Sequence, residues 1–174
     1  LGIETVFQDL ALCPHLDPVR NLYLGREVRK RGPLGWFGFM DNKMMREKSS
    51  DAFADLGATV RALSVPVGDM SGGQKQSVAV ARAASWANKI IFLDEPTAAL
   101  GVVQTQNVLD LIKRVRDKGI GVVFISHSMP EVLGVADRVQ VLRRGRRVAT
   151  YQAADTSLEE LVGAMTGALD EEAV

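Results

Sequence analysis

The chain has 174 residues, a length that accommodates one modest domain or a piece of a larger one. Its 21 basic and 21 acidic residues balance, so the overall charge favours neither nucleic acid nor an anionic membrane as a partner. The single cysteine, Cys13, excludes an internal disulfide and indicates a reducing compartment such as the cytosol.

The first residue is Leu1, and a strand-like run follows at once. We therefore expect the sequence to be a fragment that begins inside a fold. Every apolar run is far shorter than the roughly 20 residues that cross a bilayer, and no signal-peptide pattern is present, so a soluble chain is expected. The run from Ile3 to Phe7 predicts a short buried strand that ends at Gln8.

The region from Pro18 to Gly68 is predicted to be mainly helical. Asp17 and Pro18 can start one helix that closes near Gly25. Asp41 can cap a second helix, which Gly57 ends. An irregular stretch from Arg29 to Phe39 separates the two helices, and its aromatic residues belong either to a core or, as we favour, to an exposed contact patch: Trp36, Phe37 and Phe39.

From Ser71 onward, helical and strand-like segments alternate, which predicts an α/β fold with a parallel sheet. The predicted strands are Ile90 to Asp94 and Gly121 to Ser126, and a helix ending at Gly119 lies between them. A hairpin is expected to turn at Gly145. Capping boxes are predicted at two helix starts, namely Ser71 with Gln74 and Ser128 with Glu131. Ser157 with Glu160 is predicted to open a last helix.

Polar residues follow three of the predicted strands at their carboxyl ends: Gln8, Asp94 with Glu95, and His127. Ligands of open α/β sheets bind at this edge. The carboxylate of Asp94 suits Mg²⁺, Glu95 can orient a water molecule, and His127 can contact a terminal phosphate. An acidic pair can also merely terminate a strand, but the glycine motif upstream favours phosphate chemistry.

That glycine motif is Ser71-Gly72-Gly73-Gln74, which offers backbone N–H groups to an anion at a helix start. The helix dipole contributes only about 0.3–1 kcal/mol at an exposed site, which is too little to bind a nucleotide. The motif is therefore expected to act with another surface, in a site shared between two chains. The pattern G-x-x-x-x-G-K-[ST], which wraps nucleotide phosphates, does not occur in the sequence.

These motifs resemble the ATP-binding subunit of ABC transporters over nearly the whole chain. Gln8 resembles the Q-loop glutamine, Met70 to Gln74 the signature motif, Ile90 to Glu95 the Walker B strand, and His127 the switch histidine. The residue sequences of the segments from Val19 to Glu27 and from Asp69 to Gln74 are most similar to those of monosaccharide importers of the ribose and fructose type.

The resemblance implies a P-loop NTPase-type sheet with flanking helices, here without its Walker A strand, and a helical subdomain. Its divisions are residues 1–17, the Q-loop strand and loop; 18–68, the helical subdomain; and 69–174, the rest of the core with the carboxyl-terminal hairpin and helix. Two copies would form a homodimer with ATP and Mg²⁺ between them.

The resemblance also implies roles for single residues. Glu95 would polarise the attacking water, His127 would grip the γ-phosphate, and Asp94 and Gln8 would hold Mg²⁺. The residues Ser71, Gly72, Gly73 and Gln74 would complete the partner's site. The helical subdomain would meet a transmembrane permease, a sugar-binding protein would act indirectly, and the subunit would lie at the cytoplasmic face of the inner membrane. No nucleic-acid partner is expected.

The sequence departs from the family pattern in three places. Met70 replaces a leucine, a swap that conserves volume, and Gly101 stands where an aspartate is usual. Without the P-loop pattern, the chain alone is expected neither to bind ATP tightly nor to hydrolyse it, and an uncovered sheet edge should favour self-association. Two alternatives stay open, namely a soluble ABC-type ATPase of DNA repair or translation, and an inactive interaction module.

Overall fold

The computed structural model describes residues 2–58, 60 and 62–168. These residues fall into two units, which divide the chain between Ile125 and Ser126. The elements in chain order are β1 (Ile3–Val6), α1 (Pro18–Tyr23), α2 (Pro33–Trp36), α3 (Asn42–Asp55), α4 (Gly72–Trp86), β2 (Ile90–Asp94), α5 (Val102–Asp117), β3 (Gly121–Ile125), α6 (Met129–Val135), β4 (Arg138–Arg143), β5 (Arg146–Gln152) and α7 (Leu158–Thr166).

A three-stranded parallel sheet in the order β1-β2-β3 forms the centre of the first unit. The middle strand buries Ile91 and Leu93 almost completely. Helix α4 contacts β1, and α5 contacts both α4 and β3, so helices flank the sheet and the predicted α/β class is confirmed. Each fully buried aliphatic side chain of this core contributes about 1.5–3 kcal/mol to folding.

Strand β1 is shorter and more exposed than the sequence predicts. It ends at Val6, and Val6 is its only buried residue. The reason is its position, because β1 pairs only with β2 and lies at an edge of the sheet. The apolar run from Ile3 to Phe7 correctly predicts a strand, but an apolar run does not distinguish an edge strand from a central one.

Residues 18–68 of the first unit contain α1, α2, α3 and a 3₁₀ turn. Asp17 caps α1 by accepting the Arg20 N–H at 2.8 Å, and Asp41 caps α3 by accepting the Met44 N–H at 3.0 Å. Both caps are confirmed. The stretch expected to be irregular contains α2, a single turn that starts at Pro33 because proline is well suited to the first helical position.

The second unit is built on an antiparallel hairpin, β4 with β5, that turns at Arg144 and Gly145. Both turn residues have positive φ, 47° and 76°, as a two-residue type I′ turn requires. Helix α7 contacts β4 and α6. It begins where the sequence predicts, and the structure shows that Ser157 and Glu160 form a capping box there.

The predicted capping box of Ser128 and Glu131 is wrong. Ser128 does begin α6, but its side chain makes no capping hydrogen bond. The backbone N–H of Ser128 donates instead to the Ser126 hydroxyl at 3.1 Å. The Ser126 hydroxyl, two residues earlier, therefore accepts the N–H that the Glu131 side chain would accept in the reciprocal pair of bonds.

Within residues 2–58, 60 and 62–168, no helix is both long enough and apolar enough to cross a bilayer.

Candidate functional site

Gln8 and Asp94 line one cleft of about 640 Å³ at the carboxyl ends of β1 and β2, together with Phe7, Asp9 and Ala11. The parallel register explains their approach, since Val6 pairs with Leu93 and the two chains leave the sheet at the same edge. The structure therefore brings together two of the polar residues that the sequence predicted to meet. Gln8 is exposed and Asp94 is partly buried.

Glu95 follows Asp94 at the point where the chain leaves β2. Its N–H still donates to the Ile125 carbonyl at 3.0 Å, but its φ is 48°, in the left-handed region. Such a conformation in a residue other than glycine costs about 1–3 kcal/mol and is over-represented at functional sites. The strand ladder thus fixes the backbone of Glu95 while the chain turns away from the sheet.

The loop after β1 contains two further left-handed residues, Leu10 with a φ of 63° and Ala11 with a φ of 44°. The Arg82 guanidinium of α4 holds this loop by donating to the carbonyl of Ala11 at 2.8 Å and to that of Leu10 at 3.1 Å. Burial lowers the pKa of Arg82, an effect that Glu4 opposes. Arg82 is thereby the residue that positions the loop carrying Gln8.

Sequence reasoning missed Arg82. A signal was present, because Arg82 is the only charged residue between Ser77 and Ser85 in a helix of small and apolar residues. Burying a lone arginine without partners is costly, so such an arginine is expected to have acceptors elsewhere in the fold. The sequence does not say which carbonyls those acceptors are.

The glycine motif forms the start of α4 as predicted. The Ser71 N–H donates to the Gln74 side-chain oxygen at 3.1 Å, and the Gln74 N–H donates to the Ser71 hydroxyl at 3.4 Å. Gly72 and Gly73 occupy the first two helical positions, where backbone N–H groups have no acceptor within the helix. The capping box therefore presents these two N–H groups at a rigid helix start.

The two glycines of this motif have different surroundings. A Cβ on Gly73 would lie 2.9 Å from Gln104 Cγ of α5, which is too close, whereas a Cβ on Gly72 would lie 3.4 Å from the Leu100 side chain. Gly73 therefore allows α4 and α5 to pack closely. The sequence predicts that both glycines bind an anion, and the structure adds this packing role for Gly73.

The described residues that line the cleft of Gln8 and Asp94 do not include any residue of the Ser71–Gln74 motif. The motif lies instead against the start of α5, whose N-cap is Gly101. His127 belongs to the second unit, two residues beyond the end of β3. The proposed site residues of the first unit thus lie on two separate surfaces. One carries the carboxylate of Asp94, and the other presents the backbone N–H groups of Gly72 and Gly73.

The cleft residues fit a magnesium ion that is shared with a nucleotide. Asp94 offers carboxylate oxygens and Gln8 offers an amide oxygen, and Mg²⁺ usually takes one or two protein oxygens along with water and phosphate oxygens. Among residues 2–58, 60 and 62–168, no three side chains of His, Cys, Asp or Glu converge to bind a metal by themselves. A metal here would take its remaining ligands from water and a bound phosphate.

Comparisons with known proteins show which sequences and structures this chain is similar to. The sequence profile described as ABC transporter matches residues 1–98. The chain is 46% identical over 169 residues to the fructose import ATP-binding protein of Rhizobium meliloti, covering 96% of this chain and 65% of that protein. It is 41% identical to the xylose/arabinose import ATP-binding protein of Sulfolobus acidocaldarius, covering 95% of this chain and 64% of that one.

A third relative, a ribose import ATP-binding protein of Burkholderia cenocepacia, is 40% identical over 95% of this chain and 32% of its own length. Among solved structures, a dimeric ATP-binding cassette in a post-hydrolysis state, bound to ADP and Pi, superposes with a TM-score of 0.69. It is 26% identical, and the match covers 87% of this chain and 62% of that cassette. The chain thus spans less than two thirds of the length of each of these relatives.

Proposed function

This chain belongs to the ABC transporter family, and we propose from that premise that it is part of an ATP-hydrolysing subunit that powers a sugar importer. The single observation that carries the proposal is the separation of two complementary surfaces. Gln8 and Asp94 line one cleft, and the glycine-rich start of α4 lies elsewhere. Each surface is one part of a phosphate site, and two copies of the full-length protein would complete it with a P-loop, whose pattern does not occur in this sequence.

In the proposed site, each residue has a separate chemical role. Glu95, on a backbone fixed by the β2–β3 ladder, accepts a proton from the attacking water through its carboxylate. Asp94 and Gln8 would hold Mg²⁺, which would supply positive charge against the phosphates. His127 donates to the terminal phosphate, and the N–H groups of Gly72 and Gly73 in the second copy bind the same phosphate from the opposite side.

The proposed partners follow from the names of the relatives. Three proteins that match at least 95% of this chain are named as import ATP-binding proteins for fructose, xylose/arabinose and ribose. This agreement supports a monosaccharide as the cargo. We propose that residues 18–68 meet a permease, that a sugar-binding protein supplies the cargo, and that the subunit works at the cytoplasmic face of the membrane.

The alternative is a soluble ABC-type ATPase of DNA repair or translation. The equal numbers of basic and acidic residues do not favour a nucleic-acid partner, and the relatives described above are named as import ATP-binding proteins. Co-purification of the full-length protein with a multi-span permease would support import. Co-purification with ribosomes or DNA would support the alternative.

The shared site is testable with two variants of the full-length protein. Glu95→Gln should abolish hydrolysis and trap a dimer in the presence of Mg²⁺ and ATP, as measured by sedimentation, because the amide cannot accept the proton of the attacking water. Ser71→Arg should abolish hydrolysis by obstructing the partner's site. Glu47→Gln, an exposed position on α3, serves as the matched control and should leave both properties unchanged.

Mixing the two inactive variants then distinguishes a shared site from a site within one chain. In a mixed dimer, one site combines an intact Glu95 from the first copy with an intact Ser71 from the second, so part of the hydrolysis should return. A site contained in one chain would stay inactive after mixing. That result, together with no ATP-dependent change in mass, would overturn the proposal.

A further inference from the structure

Five large apolar side chains are exposed in the segment between α1 and α3, here called the aromatic lobe and defined as residues 28–41. Trp36 is 86% exposed and Phe37 is 72% exposed, and the others are Leu34, Phe39 and Met40, at 51%, 56% and 47%. The rings of Trp36 and Phe37 lie 5.5 Å apart. Monomeric proteins rarely leave such a contiguous apolar group in water without a partner.

The aromatic lobe is a folded structure and not a loose loop. Its two arms are joined by backbone hydrogen bonds from Lys30 N–H to the Phe39 carbonyl at 2.9 Å and from Asp41 N–H to the Val28 carbonyl at 2.8 Å. Gly35 is buried, and a Cβ there would meet the Lys30 carbonyl oxygen. The backbone therefore closes on itself while the aromatic rings stay outside.

The aromatic lobe is also locally basic, although the whole chain is neutral. Arg29, Lys30 and Arg31 are consecutive and exposed. The acid within the lobe, Asp41, is engaged as the N-cap of α3. Arg29 pairs with Met40 across the lobe, so the basic arm and the apolar arm share a face. Both line one cleft of about 400 Å³, which Glu27 and Arg26 also line with opposite charges.

We propose that the aromatic lobe docks on an anionic phospholipid surface. Tryptophan and phenylalanine partition into the boundary between headgroups and acyl chains. Lysine and arginine near an anionic leaflet are attracted to it. The aromatic lobe carries both aromatic and basic side chains, and its backbone groups are already hydrogen-bonded to each other. It can therefore insert aromatic rings into the interface and bind anionic headgroups at the same time. The inference rests on the proposed function only for the presence of a membrane beside the subunit.

A phospholipid surface fits the lobe better than two other occupants. The cytoplasmic loops of membrane proteins carry an excess of lysine and arginine, so they would repel the run from Arg29 to Arg31, and the proposed permease contact would fall on the other parts of residues 18–68. A second copy of the lobe would bring the same three positive charges together, which is also unfavourable. An anionic lipid surface is the partner whose charge complements the lobe.

Vesicle flotation of the full-length protein, without permease or nucleotide, tests this inference. Binding is expected to vesicles that contain phosphatidylglycerol, to be weak on pure phosphatidylcholine, and to fall as salt is raised. Trp36→Ser with Phe37→Ser, or Lys30→Glu with Arg31→Glu, should each lower the partition coefficient at least about tenfold. The altered side chains are exposed, so far-ultraviolet circular dichroism should be unchanged.

Matched controls make the same chemical changes outside the lobe. Val102→Ser with Val103→Ser removes two apolar side chains that are 88% and 69% exposed on α5. Arg146→Glu with Arg147→Glu reverses two exposed charges at the hairpin. Both control pairs should bind the vesicles as the unaltered protein does.

Tryptophan fluorescence gives a second readout. Trp36 should shift its emission to shorter wavelength when vesicles with phosphatidylglycerol are added. Trp86 should not, because it packs edge-on against Tyr23 and donates to the Leu22 carbonyl at 2.8 Å. Trp36→Phe should bind but lose the shift. Equal binding by the lobe variants would overturn the inference, as would binding only to membranes that contain a permease; neither result would affect the proposed hydrolysis.

Discussion

Arg82 couples the loop after β1 to α4 although 71 and 72 residues separate it from its two acceptors, the carbonyls of Ala11 and Leu10. The loop needs such support because both acceptor residues have left-handed backbone conformations, which are unfavourable without glycine. Gln8 lies at the start of this loop. Arg82 therefore acts as a positioning residue for one of the proposed Mg²⁺ ligands.

Replacing Arg82 with glutamine should destabilise the protein and disturb the loop. Hydrogen bonds that involve a charged group contribute about 1.5–3 kcal/mol, so Arg82→Gln is expected to lower the free energy of unfolding by about that amount in urea denaturation. Hydrolysis by the full-length protein should fall as well, with a higher Mg²⁺ requirement, because Gln8 loses its support.

A control at an exposed arginine isolates this effect. Arg46 lies exposed on α3, and Arg46→Gln should change the free energy of unfolding by no more than about 0.5 kcal/mol. Arg82→Lys keeps the charge but not the paired donors, so it should recover only part of the stability. Equal unfolding curves for the glutamine variants of Arg82 and Arg46 would contradict the proposed role.

Helix starts show which local patterns suffice to form a cap. The predicted capping box at α4 forms, and the start of α7 is a capping box as well. The one predicted at α6 does not form, and the Ser126 hydroxyl there accepts the N–H of Ser128. Helix α5 begins at Gly101, which has no side chain with which to cap. Glycine is tolerated at an N-cap but is weaker there than serine or aspartate.

Gly101→Ser should therefore stabilise the protein slightly. The backbone of Gly101 is extended, with a φ of −75° and a ψ of 165°, and Gln104 occupies the third helical position, so a new hydroxyl could complete a capping box. A gain of a few tenths of a kcal/mol is expected, or about 1 °C in the melting temperature measured by circular dichroism.

Gly101→Ala is the matched control, because it adds the Cβ without the hydroxyl. The Cβ would lie 2.7 Å from the side-chain oxygen of Gln104, the end of a flexible side chain that can move. Alanine at an N-cap is about 1 kcal/mol worse than serine. If the alanine variant melts at or above the temperature of the serine variant, the capping argument is wrong.

At the scale of the whole molecule, the parallel sheet of the first unit has two edge strands, β1 and β3. Val123 and Ile125 of β3 are 39% and 48% exposed, and Ile3 of β1 is 47% exposed. Edge strands offer unpaired backbone groups to other chains, and natural proteins usually protect them with charges or a covering segment. The apolar side chains here add no such protection.

The 174-residue chain should accordingly associate with itself at micromolar concentrations, as measured by sedimentation velocity over a range of concentrations. Val123→Lys places a charge on β3 and should lower the association. Val103→Lys places the same charge on α5, where the side chain is 69% exposed, and should have little effect. A monomer at every concentration would contradict the prediction.

The sequence by itself determined the features that depend on short spacing. These include the caps of α1 and α3, the hairpin turn at Gly145, the alternation that produces a parallel sheet, and the approach of Gln8 to Asp94, which follows because parallel strands end at one edge. Each is set by residues a few positions apart or by a general rule of sheet topology.

Only the tertiary structure decided the rest. The acceptors of Arg82, the close packing of Gly73 on Gln104, the edge position of β1 and the exposure of Trp36 and Phe37 all depend on how separate elements lie against each other. The physical reason is that spacing along the chain sets the face of an element, while the partner of that face is chosen by packing between residues far apart in sequence.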